Sequence, residues 1–316
     1  MEQKPAVVAV VGPTATGKTA LGIGLAKRFA GEIVSCDSMQ VYKGLPIGTA
    51  QPTAEELAQA PHHLVGFLGV GEPFSVSDYV ELAGRAIREI AGRGKLPILV
   101  GGPGLYARSR LRGFRFVAGA GVGALRARLF AQAEELGSEA LHARLAAIDP
   151  AGAQGIHPHN VKRVVRALEY CTISGEPFSK QAERSKAMEA PYRALLLCPV
   201  YRDRQLLYGR IDKRVDAMLG QGLLEEAEGF FRYCERAGTP PTAAQAIGYK
   251  ELFPYFRGER TLAEAVELVK RESRRYAKRQ LTWFAREPGV RYIYLDGLTP
   301  GQALSQAEEA VLAFGV

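Results

Sequence analysis

The sequence predicts an α/β fold in which helices flank a parallel sheet, with an all-helical insertion dividing the sheet domain. Three observations predict it. The first hundred residues alternate short apolar runs with helical patterns, the signature of βαβ units. The stretch from about Phe116 to Tyr192 carries helical patterns and no strand pattern. Strand character then returns at Ala194 to Val200, so the core resumes after the interruption. The core is expected to comprise residues 1–116 and 193–316, and the insertion residues 117–192.

In order along the chain, Ala6 to Val11 is an apolar run with the length of a buried strand. A glycine-rich turn follows, then a helix from Thr19 to Phe29 and a second strand from Ile33 to Cys36. Ser75 to Ala91 reads as a helix capped by Ser77, with Val80, Ala83, Ile87 and Ile90 on one face and Gly92 and Gly94 ending it. Pro97 to Val100 is a third strand. Gly119, Gly121 and Gly123 form the joint to the insertion, whose helices are Leu125 to Leu136, Glu139 to Ile148 and Val161 to Ile173. Beyond the strand at 194–200, a long helical region runs from Arg202 to Cys234, and a turn at Gly238-Thr-Pro-Pro241 leads to two more helices. The second of these spans about Leu262 to Arg286, and a strand at Arg291 to Leu295 and a helix at Gln302 to Phe314 close the core.

Composition bounds the function. A chain of 316 residues that is 47% hydrophobic and 23% charged can bury a large core. The apolar run at 6–11 is too short to span a bilayer and lacks the layout of a secretory signal, so a cytoplasmic chain with no membrane partner is expected; a monomer is expected as well. Cys36, Cys171, Cys198 and Cys234 lie far apart without a CxxC, which favours buried thiols over disulfides or a zinc site. The net charge of +8 suits a polyanion, and its distribution is more informative than its sum. Lys270 to Gln280 carries six basic residues and one acid, with Arg271, Arg275 and Lys278 on one helical face, while Lys162, Arg163 and Arg166 form a second cluster.

The turn after the first strand reads Gly12-Pro13-Thr14-Ala15-Thr16-Gly17-Lys18-Thr19. Glycines at this spacing between a strand and a helix let backbone N–H groups curl around a phosphate, and the helix N-terminus adds its dipole. Lys18 reaches the terminal oxygens, and Thr19 can offer its hydroxyl to Mg2+. This P-loop leaves the phosphate compound open. The strand at 97–100 ends in Gly101-Gly102-Pro103 without the carboxylate of a nucleotidase, and the nearest acid at a strand end is Asp37. In an open parallel sheet Asp37 should face Lys18 and Thr19, where it could hold magnesium or take a proton from a nucleophile.

Several further blocks resemble the tRNA dimethylallyltransferase family. They are Asp37-Ser38-Met39-Gln40-Val-Tyr-Lys-Gly44 with Ile47-Gly-Thr-Ala50; His62-His63-Leu64; Phe74-Ser-Val-Ser-Asp-Tyr79; and Gly101-Gly102-x-Gly104-Leu-Tyr106. Asn160-x-x-Arg163-x-x-Arg166-Ala-Leu-Glu169, Ala246-Ile-Gly-Tyr-Lys-Glu251 and Tyr276-Ala-Lys-Arg-Gln-Leu-Thr-Trp283 follow in the family's order, so the likeness covers almost the whole chain. The resemblance implies a P-loop NTPase-like core and transfer of a dimethylallyl group from dimethylallyl diphosphate to N6 of adenosine 37, next to the anticodon of tRNA. By the same resemblance the P-loop and Mg2+ hold the diphosphate, Lys18 stabilises it as it leaves, and Asp37 acts on the adenine amino group as general base. Asp37, Ser38, Met39, Gln40, Pro103, Asn160, Arg163 and Arg166 are implied to contact the anticodon stem-loop, and the helical insertion to close over the RNA. Trp283 and Phe284 are expected in the core and His62 and His63 in structural roles.

The chain departs from the family at Pro103, where Thr is usual, and at Gln51, Gly66 and Gly209, where Lys, Asp and Glu are common. Three other readings share parts of this pattern: prenylation of free adenine nucleotides, a small-molecule kinase using ATP on the same loop, and an RNA-binding switch that only senses a nucleotide.

Overall fold

In the computed structural model, residues 4–113, 122–181 and 189–316 are described. The chain divides into two compact units, one formed by residues 1–111 and 191–316 and the other by residues 112–190. The junction expected at residues 116 and 117, with Gly119 and Gly121, lies outside the described residues, whereas Gly123 is already helical.

The larger unit is built on a six-stranded parallel sheet of order β3-β2-β4-β1-β5-β6. Its strands are β1 (Ala6–Val11), β2 (Glu32–Ser35), β3 (His62–His63), β4 (Pro97–Gly101), β5 (Arg193–Val200) and β6 (Val290–Tyr294). β1 is central, with Val8 level with Ile98 of β4 on one side and Leu195 of β5 on the other. The pleat sends alternate β1 residues to opposite layers. Val8 and Val10 pack with Leu21 and Leu25 of α1 (Lys18–Arg28) and with Ala307 and Val311 of the C-terminal helix, Pro300–Phe314. Val7, Ala9 and Val11 pack on the other layer with Ile87 and Ile90 of α3, which spans Val76–Gly92, and with Phe230 and Phe284. Burial on both faces explains why β1 and β4 read as continuous apolar runs.

Most expected elements lie within one or two residues of the observed ones. Three differ in kind, and the helices Ala54–Leu57, Gly104–Leu111 and Pro150–Gln154 were not expected. The cap of α3 is Ser75, not Ser77, because Ser75 and Asp78 form a reciprocal capping box that leaves residue 77 inside the helix. The two-residue strand β3 was missing from the pattern: His63 bonds Glu32 at 2.7 Å, so the histidines close the sheet edge. Burial of Glu32 would raise its pKa, but hydrogen bonds from His63, Lys95 and Arg93 outweigh it and hold the carboxyl at about 2. The region from Arg202 to Cys234 is two helices, Arg204–Gly220 and Leu223–Ala237, because Gly222 takes φ 101° between them. The two remaining short helices before Leu262 are a 3-10 turn at Thr242–Gln245 and Phe253–Phe256.

In chain order, α2 is Ala54–Leu57, α4 Gly104–Leu111, α5 Val122–Leu136, α6 Ser138–Ile148, α7 Pro150–Gln154 and α8 Val161–Ser174. Then follow α9 (Arg204–Gly220), α10 (Leu223–Ala237), α11 (Phe253–Phe256), α12 (Leu262–Phe284) and α13 (Pro300–Phe314). The regular structure among the described residues of the smaller unit is all helical, as its sequence predicts, and packs Leu129, Leu145, Val164 and Leu168 into a core of its own. All four cysteines are free and buried. Among the described residues no helix is long and apolar enough to cross a membrane.

Candidate active site

A cavity of about 320 Å³ opens at the carboxyl ends of β1, β2 and β4, where an open parallel sheet leaves its crevice. Thr14, Ala15, Gly17, Lys18 and Thr19 line it from the P-loop, and Asp37, Ser38, Met39 and Gln40 from the end of β2. Gly17 caps α1 with φ 77° and no side-chain cap, so the first N–H groups of the helix are left for an anion. Ala15 adopts φ 64°, which costs an L residue roughly 1–2 kcal/mol.

Three side chains from far along the chain hold the loop in that conformation. The Gln280 carboxamide oxygen accepts the Thr14 N–H at 2.9 Å, Arg214 donates to the Thr14 hydroxyl at 3.2 Å, and Arg210 donates to the Ala15 carbonyl at 3.1 Å. Arg210 and Arg214 are one turn apart on α9 and therefore reach the loop from the same face.

Charge is concentrated here. Lys18 donates to the Pro13 carbonyl at 2.6 Å, and burial, with Arg214 adding repulsion, pushes its ammonium down to about 8. Burial drives the Asp37 carboxyl up from its ordinary value, against the N–H groups of Met39 and Gln40 and the charges of Lys18 and Arg214. Asp37 accepts the Met39 N–H at 2.8 Å through one oxygen, which fixes the carboxylate at the strand end. A site with a raised acid beside lowered bases can accept a proton and neutralise an anion.

Among the described residues no group of three or more His, Cys, Asp or Glu could hold a metal by itself. The Thr19 hydroxyl lines the cavity, a donor that fits an ion taking its other ligands from phosphate oxygens and water.

Not every expected site residue lines the cavity. Thr16 is buried, and its hydroxyl donates to the Pro13 carbonyl, while Gly12 lies against the Cys198 sulfur. The Gln40 carboxamide spans Ser35 and the Ala50 carbonyl, at 3.0 and 2.7 Å, so it also braces the loop behind Asp37. Pro103 stands at the head of α4, whereas Gly101 and Gly102 line the cavity. In the helical unit, Asn160 caps α8 by accepting the Arg163 N–H, and Arg166 and Arg126 both pair with the fully buried Glu169. Arg163 is exposed.

A family model described as IPP transferase matches residues 40–287, and a second, Isopentenyl transferase, matches residues 5–63. The tRNA dimethylallyltransferase of Geobacillus kaustophilus is 46% identical over 98% of this chain and 95% of that protein, and that of Bacillus subtilis 48% identical over 89% and 88%. The chain belongs to the tRNA dimethylallyltransferase family. Among solved structures, the tRNA isopentenylpyrophosphate transferase of Bacillus halodurans is 40% identical with a TM-score of 0.72, covering 99% of this chain and 97% of that one. A eukaryotic dimethylallyltransferase acting on tRNA is 27% identical with a TM-score of 0.81, covering 98% and 80%.

The tRNA dimethylallyltransferase blocks interlock in space. A Cβ on Gly102 would lie 2.2 Å from the Gln280 amide nitrogen, and one on Gly101 1.8 Å from the Cys36 carbonyl oxygen. The glycine block after β4 therefore lets α12 and the end of β2 approach the P-loop. Gly101→Ala is expected to cost about 3 kcal/mol in urea unfolding, since the atom it meets is backbone and cannot swing away. Ile47-Gly-Thr-Ala50 is joined to the block at 246–251 through Glu226, which accepts the N–H groups of Ile47 and Gly48 at 2.9 and 2.8 Å and the Tyr249 hydroxyl at 2.6 Å. Two departures from the family pattern face each other, because a Cβ on Gly66 would sit 3.3 Å from the Gln51 side-chain oxygen.

The sequence reading missed Arg210, Arg214, Glu226 and Gln280. The signal for the arginines was present: Arg214 falls in the same stripe of α9 as Ile211, Val215 and Met218, and a cation set within an apolar stripe needs a buried partner.

Proposed function

We propose that this protein transfers a dimethylallyl group from dimethylallyl diphosphate to N6 of adenosine 37, beside the anticodon of tRNA, and releases diphosphate. One observation carries the reading: a half-buried carboxylate, Asp37, shares a single cavity with the anion grip of Lys18, Thr19 and Arg214. Ile211, Val215, Met218, Leu223 and Val269 line the same cavity and give it an apolar side. That side suits a hydrocarbon.

The exocyclic amine attacks C1 of the donor. As the C–N bond forms, the C–O bond breaks and its electron pair leaves with diphosphate, while Asp37 takes the proton from nitrogen. Lys18, Arg214 and the N–H groups at the start of α1 stabilise the charge that builds on the leaving oxygen. Thr19 would hold Mg2+, which when bound neutralises part of the diphosphate charge. The target adenine must be splayed from its loop to reach Asp37, with Ser38 and Met39 placed beside it and Arg279 and Lys250 on the cavity rim for backbone phosphates. The exposed Arg163, and Lys162 beside it, give the helical unit a cationic surface of its own for RNA.

The reading is tested by incubating the protein with dimethylallyl diphosphate, Mg2+ and unmodified tRNA and weighing the released nucleosides. Adenosine heavier by one dimethylallyl group, at the position next to the anticodon, is expected; no product across several tRNAs would overturn it.

A pH dependence follows from Lys18. Its pKa of about 8 in the free enzyme must rise when a diphosphate arrives, so binding takes up a proton once the pH exceeds that value. The KM for the donor is expected to be flat below pH 7.5 and about tenfold higher at pH 9 than at pH 7. Initial rates across that range at saturating tRNA check it.

A further inference from the structure

We infer that Met218, backed by Leu223, is the stop that limits the donor to a five-carbon chain. The inference rests on the prenyl-transfer reading above and adds the element that selects among prenyl donors.

The anionic end of the cavity is fixed by the P-loop and the residues that clasp it. The middle of helix α9 lies at that end. Arg210 and Arg214 touch the loop, and the stripe they occupy continues as Ile211, Val215 and Met218, all lining the same cavity. Between residues 214 and 218 the helix advances about 6 Å. A dimethylallyl chain is four carbons long from C1 to its methyl ends, so a donor gripped at Arg214 ends beside Met218. There α9 gives way to the turn at Gly222, and Leu223, 1% exposed, opens α10 across the end of the wall. Val269 of α12, 3% exposed, closes the flank, and Ala246 lies in the same wall. Of these wall residues Met218 is the long, unbranched one that is only partly buried, so shortening it lengthens the cavity without opening the packed core.

A ten-carbon donor such as geranyl diphosphate would react by the same bond changes, with C1–N forming, C1–O breaking and the amine proton going to Asp37. What excludes it is space for its second isoprene unit. The experiment measures kcat/KM with geranyl diphosphate and with dimethylallyl diphosphate, using the same tRNA, for the wild type, Met218→Ala and Leu223→Ala. The ratio of the two values within each protein is independent of how much of that protein is folded. Met218→Ala should raise the ratio by about tenfold to a hundredfold, because pocket discrimination per missing methylene is of that size. Leu223→Ala should raise it less. An unchanged ratio in both variants overturns the inference, as does a rise in the KM for tRNA with no change in the ratio, which would assign the wall to the nucleotide. If the wild type makes no product from either donor, the prenyl-transfer reading itself fails, an outcome distinct from an unchanged ratio.

Discussion

Asp37→Asn is expected to lower kcat by about 10²–10⁴ while leaving tRNA affinity within a few fold. The substitution is chosen because it isolates the proton. Asn retains an oxygen that can accept the Met39 N–H, so the turn after β2 keeps its shape. What disappears is a group able to take a proton from the amine, together with the negative charge that faces Lys18 and Arg214. Losing that charge should leave the donor KM equal or lower, since one carboxylate fewer opposes the incoming diphosphate. Single-turnover rates at saturating donor, with tRNA binding measured alongside by filter retention, separate the two effects. A fall in kcat of less than tenfold would remove Asp37 from the role of base, and a matching loss of tRNA affinity would reassign it to RNA binding.

The second large effect is expected at Arg214, a residue that tertiary structure alone brings to the site. Arg214→Leu should lower kcat/KM for dimethylallyl diphosphate by about 10²–10³, the size found when one preorganised donor to a developing anion is removed. It should also move the pH break in the donor KM upward from about 8, because Arg214 is second only to burial among the causes that depress Lys18. That shift distinguishes an electrostatic role from a structural one, since a loosened P-loop would raise KM at every pH alike. Arg214→Lys restores the charge without the planar fork that reaches Thr14, so it should recover the position of the break but only part of the rate. The KM for tRNA checks that the lesion is confined to the donor.

The parts of the site that were legible are those whose chemistry is local. The P-loop could be read because strand, glycine turn and helix N-terminus are consecutive, and the N–H groups that would face an anion belong to that one segment. Asp37 could be placed because a residue at the carboxyl end of a parallel strand lands in the crevice whatever the rest of the chain does. Charge was less readable. Arg163 and Arg166 share a face of α8 in the sequence, yet Arg166 is committed to Glu169, a carboxylate that is completely buried and is also bonded by Arg126. The hydrophobic pattern could not show that an acid three residues along the same helix points inward.

By itself the sequence determined the α/β class, the helical interruption, the glycine turn between β1 and α1 and, through seven ordered blocks, the family. Periodicity and spacing carry the first three, because each follows from contacts a few residues apart, whereas the family rests on the likeness of the blocks. Only the tertiary structure decided what holds the loop and what lines the cavity beside it. Gln280 is 266 residues from Thr14 and Arg214 is 200 away, and no periodicity connects positions so distant. Hydrogen bonds and apolar walls act over a few ångströms in space. The carboxamide, guanidinium and thioether that complete the site therefore become visible only once the sheet has brought α9 and α12 to the end of β1.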